Sequence, residues 1–169
     1  MFALMRQDPP IITLLARHSV IDLLALLVEL VVVLLQKLRG VEMLVTISAT
    51  VFSALVAIVM LFQIALAAGM PWGSYAMGGK FPGKFPPTMR IASLIQVIIL
   101  SFIASIVLVE SGLIFPDWSS FTKAAIWFVV AFSMIATVLN IITRSVWERR
   151  IWAPVSMLML ITSIIVAID

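Results

Sequence analysis

Four stretches of this chain contain no Asp, Glu, Lys or Arg: Met43–Ala68, Ile91–Val109, Ala124–Thr143 and Ile151–Ile168. About 20 apolar residues in a helix cross a hydrocarbon core roughly 30 Å thick. A lone segment in lipid must satisfy its own backbone donors and acceptors, and only a helix does so. The first stretch exceeds the requirement and is expected to tilt or to run past the interface, while the last is slightly short. Composition agrees: 63% of the residues are hydrophobic and 11% charged, against about 45–50% and about 25% in soluble domains. The expected fold is all-α, an integral membrane helical bundle with four core transmembrane helices.

The segment Val20 to Leu38 is equally oily but is interrupted by Asp22 and Glu29. Each Leu, Ile or Val favours insertion by roughly 0.3–0.6 kcal/mol, and an acid at the helix centre opposes it by about 3 kcal/mol. Only Glu29 is central, so the balance favours a fifth span; the alternative is a helix lying in the interface. The cations bear on the choice. With five spans Arg6, Arg17, Lys80, Lys84, Arg90, Arg144, Arg149 and Arg150 share one side and Lys37, Arg39 and Lys123 the other, eight against three. With four spans Arg6 and Arg17 change sides, leaving six against five. The positive-inside rule therefore selects five spans, a cytoplasmic N-terminus and an outside C-terminus. An n-region, a short h-region and an A-x-A cleavage site do not occur together, so the first segment is not expected to be a removable signal peptide. On this reading residues 1–40 form an N-terminal hydrophobic helix and residues 41–169 the core.

Cysteine is absent and His18 is the only histidine. Thiolate metal sites, disulfides and a cysteine nucleophile are excluded, and no HExxH, GxSxG, P-loop or GxGxxG pattern occurs. No cofactor, metal or nucleic acid is expected. Ten methionines and five tryptophans are read as core filler and interface anchors.

Between the first two charge-free stretches lies "GMPWGSYAMGGKFPGKFPPTMR", in which Gly-Lys-Phe-Pro occurs twice, at Gly79–Pro82 and Gly83–Pro86. Proline discourages helix in the residue before it and glycine permits tight turns, so a structured loop is expected. Trp72, Tyr75, Phe81 and Phe85 suit the headgroup region, and Lys80, Lys84 and Arg90 suit an anionic leaflet. Two readings stay open. The repeat anchors the loop at the interface, or these cations, with Arg144, Arg149 and Arg150 from the loop "RSVWERR", bind a phosphate-bearing headgroup near the amides of Gly78 and Gly79.

Polar groups inside spans must find partners, which makes them pointers to function. His18, Asp22, Glu29 and Gln36 fall on one helical stripe, fit either to carry protons or cations or to join this helix to a neighbour or a second protomer. Glu29, at mid-span, is read as neutral or held by a partner. Ser133, Thr137, Asn140 and Arg144 share another face; Asn140 and Arg144 need partners such as Gln63, Gln96 or Glu148. Thr46, Thr50 and Ser53 form a third face, read as close helix packing.

The runs "LAAGMPWGSYAMGGKFPGKFPPTMRIASLI" and "NIITRSVWERRIWAPVSMLMLI" resemble a family of small, mostly uncharacterised bacterial membrane proteins with four core helices. Its pattern is an Ala-Gly-x-Pro-Trp-Gly and Gly-Gly loop after the first helix and an Asn…Arg-Ser…Glu-Arg…Trp-x-Pro stretch joining the last two. The resemblance covers roughly Glu42 to Asp169. It implies a bacterial origin and a four-helix core, and it carries no activity over; the segment before Gly40 departs from the pattern.

Together these features point to a small multi-pass protein of the bacterial inner membrane that binds or transports a lipid or small solute. The proposed contacts are Asn140, Arg144, Trp72, Lys80, Lys84 and Arg90. Membrane lipids, anionic headgroups and a second copy of the chain are the expected partners. A membrane enzyme acting on a lipid-linked substrate, with Asp22, Glu29 or Glu148 as acid or base, is the alternative, as is a structural subunit. Too few carboxylates converge, and no nucleophile stands out, so the non-enzymatic reading is preferred.

Overall fold

A computed structural model describes residues 20–169. It contains α1 (Val20–Ala68), α2 (Pro87–Glu110), α3 (Ser119–Ile142) and α4 (Val146–Ala167), with short 3-10 turns at Gly73–Tyr75, Met77–Gly79 and Pro116–Trp118. No strand occurs among the described residues. The chain divides into two compact units, Met1–Val41 and Glu42–Asp169. Among the described residues four helical segments are long and apolar enough to cross a membrane: Arg39–Ala68, Pro87–Glu110, Thr122–Ile142 and Val146–Ala167. The fifth-span reading of Val20–Leu38 falls on residues whose side chains lie, for the most part, outside the described set.

Local chemistry sets the helix ends. α1 stops at Gly69, whose φ of 93° is the left-handed conformation glycine adopts freely. There the Met70 N–H donates to the Ala65 carbonyl and the Gly69 N–H to that of Leu66, both at 3.0 Å, a Schellman closure. α2 opens with Pro87 in its first turn, where a missing N–H costs nothing. α4 begins at Val146 rather than Ile151, so most of "RSVWERR" is helix and not loop. The reason is Ser145, whose Oγ accepts the Glu148 N–H at 3.2 Å and caps the helix.

Within the second unit, Val45, Ala49, Phe52 and Val56 of α1 bury one stripe, spaced by four, three and four residues. They meet Leu100, Ile103, Ile106 and Val107 of α2, Ile126 and Val129 of α3, and Met159 and Val166 of α4. Lipid provides no hydrophobic drive between helices, so small residues that allow close approach carry the packing. Ser48, Ala49, Ser133 and Ser163 are buried accordingly. The outward faces are the reverse of a soluble protein: Leu61, Ile98, Phe102 and Ile142 are each more than 60% exposed. Thr46 and Thr50 also face outward, with the Thr50 hydroxyl donating to the Thr46 carbonyl at 2.8 Å. The packing face expected there is instead the Ser48–Ala49 side. Trp72 and Trp147 are exposed at the loop end and Phe115 and Trp118 at the other, as aromatic belts at two interfaces require.

A laterally open cavity under the repeat loop

The Gly-Lys-Phe-Pro repeat folds back onto the 3-10 turn that precedes it. Gly73 is buried there, and its N–H donates to the Gly83 carbonyl at 2.9 Å. A Cβ on Gly73 would lie 2.0 Å from the Phe81 carbonyl oxygen, so only glycine fits. Phe85 is 3% exposed and packs with Leu66 and Ala76. It is a core residue of the loop, not the headgroup anchor its sequence neighbourhood implied. Phe81 stands edge-on to it at 6.0 Å.

The folded loop is then tied to α4. The Ser145 hydroxyl donates to the Ser74 carbonyl at 2.9 Å, and the Trp152 indole N–H to the Tyr75 carbonyl at 2.8 Å. Glu148 Oε2 accepts from the Gly78 N–H and the Thr143 hydroxyl, each at 2.7 Å. The two loops expected on one side of the membrane are thus in direct contact.

Beneath this lid a cavity of about 390 Å³ lies between the four helices. α1 contributes Phe62 and Gln63, α2 Ser93 and Gln96, α3 Ala136 and Asn140, and α4 Glu148, Trp152, Ser156 and Met159. The lining residues from α1 and α4 are buried or half-buried, whereas Ala92 and Gln96 of α2 and Ile135 and Leu139 of α3 are exposed. The floor is therefore α1 and α4, and the mouth opens sideways between α2 and α3, toward where acyl chains would be.

Polar groups in the cavity are unevenly satisfied. Among the described residues eight polar residues are buried, of which Gln63, Ser93 and Ser156 line the cavity; seven are Ser or Thr, and Gln63 is the exception at 8% exposure. Most of the hydroxyls return to their own helix, as Ser93 does to Met89, Thr137 to Ser133 and Ser156 to Trp152. Among the described residues, by contrast, the amides of Gln63, Gln96 and Asn140 have no hydrogen-bond partner. All three line the cavity.

The residues singled out from sequence separate here. Asn140 lines the cavity, half-buried, but Arg144 does not, because α3 ends at Ile142 and Arg144 lies exposed in the connection. Trp72 is exposed and stacks on Phe62 at 6.2 Å, outside the cavity lining. Lys80 is exposed with its Nζ 5.7 Å from the centre of the Phe81 ring, and Lys84 is exposed. Arg90 Nε donates to the Phe85 carbonyl at 2.9 Å. Its guanidinium lies against Gly69, at the C-terminal end of α1, where carbonyl dipoles attract a cation. The glycine amides expected to meet an anion are engaged, that of Gly78 by Glu148 and that of Gly79 by the Ala76 carbonyl at 2.9 Å. Of the N-terminal stripe, His18 lies outside the described residues, as do the side chains of Asp22 and Glu29, and Gln36 is exposed.

Gln63, Gln96 and Glu148, expected as partners for Asn140 and Arg144, line the cavity with Asn140, but among the described residues none hydrogen-bonds to it. Ser93, Ser156 and the capping Ser145 were not singled out, although the Ser-x-x-Glu spacing of Ser145 and Glu148 is a helix-start signal. Comparison with known proteins finds no matching family model, no similar curated protein and no matching solved structure.

Proposed function

We propose that this protein is a non-enzymatic multi-pass membrane protein that binds an amphiphile, either a lipid or a small solute with an apolar body, and that binding is the first step of any movement it supports. The apolar part enters between α2 and α3, and the polar part reaches the amides of Gln63, Gln96 and Asn140 under the loop. One observation carries this reading: Gln63 lines the cavity floor, and its amide, open to the cavity, has no protein partner among the described residues, so it is free to take a polar group of a ligand. Organic extraction of the purified protein followed by mass spectrometry tests it. An amphiphile should co-extract in stoichiometric amount, and Ala136→Phe, which fills the cavity from α3, should release it. A protein that carries nothing above the level of the surrounding lipid, with or without the substitution, sinks the reading.

The eight-to-three division of cations is the support for five spans, a cytoplasmic N-terminus and a cytoplasmic loop end; that count requires the chain to reverse near Gly40, within the residues that α1 covers as helix. The sequence resemblance is the one support for a bacterial inner membrane and for kinship with the small four-helix family. Exposed Lys80 and Lys84 favour contact with anionic headgroups outside the cavity. The His18–Gln36 stripe favours a second copy of the chain as partner.

A further inference from the structure

We propose that the cavity selects a cationic head, so that the amphiphile it takes carries an amine or quaternary ammonium group that rests against Glu148. This deepens the amphiphile-binding reading and rests on it. The charges on the cavity wall decide between the possible heads. Among the described residues that line the cavity Glu148 is the one that is charged; Lys80, Lys84, Arg90 and Arg144 are all outside it. An anionic head would sit beside a carboxylate with no cation on the wall to offset the repulsion. A neutral head would gain nothing from the carboxylate, which the Gly78 N–H and the Thr143 hydroxyl already hold through one oxygen.

Glu148 is also held ready. Its Oε2 is fixed by the Gly78 N–H and the Thr143 hydroxyl, and among the described residues no donor takes Oε1. The neighbouring walls are aromatic, with Phe62, Tyr75, Phe132 and Trp152 all in the lining. Aromatic faces attract ammonium groups and do not attract anions. The Trp152 ring is locked by its bond to the Tyr75 carbonyl and packs 4.7 Å from Phe62. The amides of Gln63, Gln96 and Asn140 then serve neutral polar atoms carried next to the ammonium.

The shared chemistry is a substituted ammonium, supplied either by a lipid such as phosphatidylethanolamine, whose phosphate would stay outside the cavity wall, or by a free lipophilic amine. The test uses the full chain in phosphatidylglycerol nanodiscs, which contain no amine, with empty discs subtracted. Tetraphenylphosphonium and tetraphenylborate have the same shape and opposite charge, and their binding is read by equilibrium dialysis. The cation should bind about tenfold or more tighter than the anion. Glu148→Gln should weaken the cation by about tenfold to hundredfold, the range for one charge-assisted contact, and Ala136→Phe should abolish it. Because the two ions are compared on the unaltered protein, the test stands even where a variant folds poorly.

Adding phosphatidylethanolamine to the discs separates the sources. A fall in apparent affinity for the cation identifies the lipid headgroup and an unchanged affinity a free amine, and either result supports the proposal. Equal binding of the two ions, or a Glu148→Gln protein that folds and keeps full affinity for the cation, overturns the proposal and leaves amphiphile binding standing. Failure of both ions to bind, in a protein from which no amphiphile extracts, removes both.

Discussion

Gln63→Met should stabilise the ligand-free protein while weakening its hold on ligand. Gln63 is 8% exposed and its amide meets no partner among the described residues. A fully buried polar group left unpaired costs about 1–3 kcal/mol, and an amide that opens onto a cavity costs less. Methionine occupies a similar volume, is flexible enough to adapt to the site, and carries no strong polar group. The cavity, at about 390 Å³, has room for water, each molecule taking about 30 Å³, and water returns part of that cost. The net gain expected for the empty protein is therefore about 0.5–2 kcal/mol. Equilibrium unfolding in mixed micelles of mild detergent and dodecyl sulfate, followed by tryptophan fluorescence, measures it. In the same preparation the affinity for bound amphiphile should fall by about tenfold, the equivalent of one hydrogen bond. A loss of stability beyond about 1 kcal/mol would mean that Gln63 has a structural partner. Unchanged ligand affinity would mean that its amide does not face the ligand, and either result refutes the reasoning.

Gly73→Ala forces a Cβ into the Phe81 carbonyl and should cost about 2–4 kcal/mol from overpacking and the lost bond to Gly83; limited trypsin digestion should then cut faster after Lys80 and Lys84. Ser145→Ala removes the α4 cap and the tie to Ser74. It should cost about 1–2 kcal/mol, seen as faster hydrogen exchange over residues 146–150. The chain has no cysteine, so Lys84→Cys and Lys123→Cys report topology directly. An impermeant thiol reagent applied to intact cells should label the second and spare the first, and the reverse result inverts the orientation. Glu29→Gln should leave assembly intact and Glu29→Leu should loosen it if the N-terminal stripe joins helices, whereas loss of activity in the Gln variant alone points to proton or cation movement.

The spans were legible because lipid leaves the backbone one solution, so charge-free length is enough to find them. Asn140 and its companions Gln63, Gln96 and Glu148 were legible for a related reason, since amides and acids at such depths must be accounted for. The loop was not. Burial of Phe85 and the fit of Gly73 under Phe81 depend on contacts across a turn that neither periodicity nor propensity encodes. Arg144 looked like a cavity residue because the α3 face was extrapolated past Ile142, where the helix ends. The α4 start was written in Ser145 and Glu148, but the arginines around them read as a charged loop. Thr46 and Thr50 show the remaining ambiguity: in lipid a hydroxyl that bonds its own helix is free to face outward.

The most direct test of a cavity open to the bilayer is photolabelling with a small apolar aryl diazirine dissolved in the membrane, with adducts mapped to single residues by tandem mass spectrometry. Met159 and Ser156 are each 5% exposed on the cavity floor, while their neighbours Leu158 and Met157 face outward. The account predicts adducts on Ser156 and Met159 as well as on Leu158 and Met157, with those on Ser156 and Met159 lost in Ala136→Phe. Adducts confined to the outward-facing residues in both proteins would contradict it.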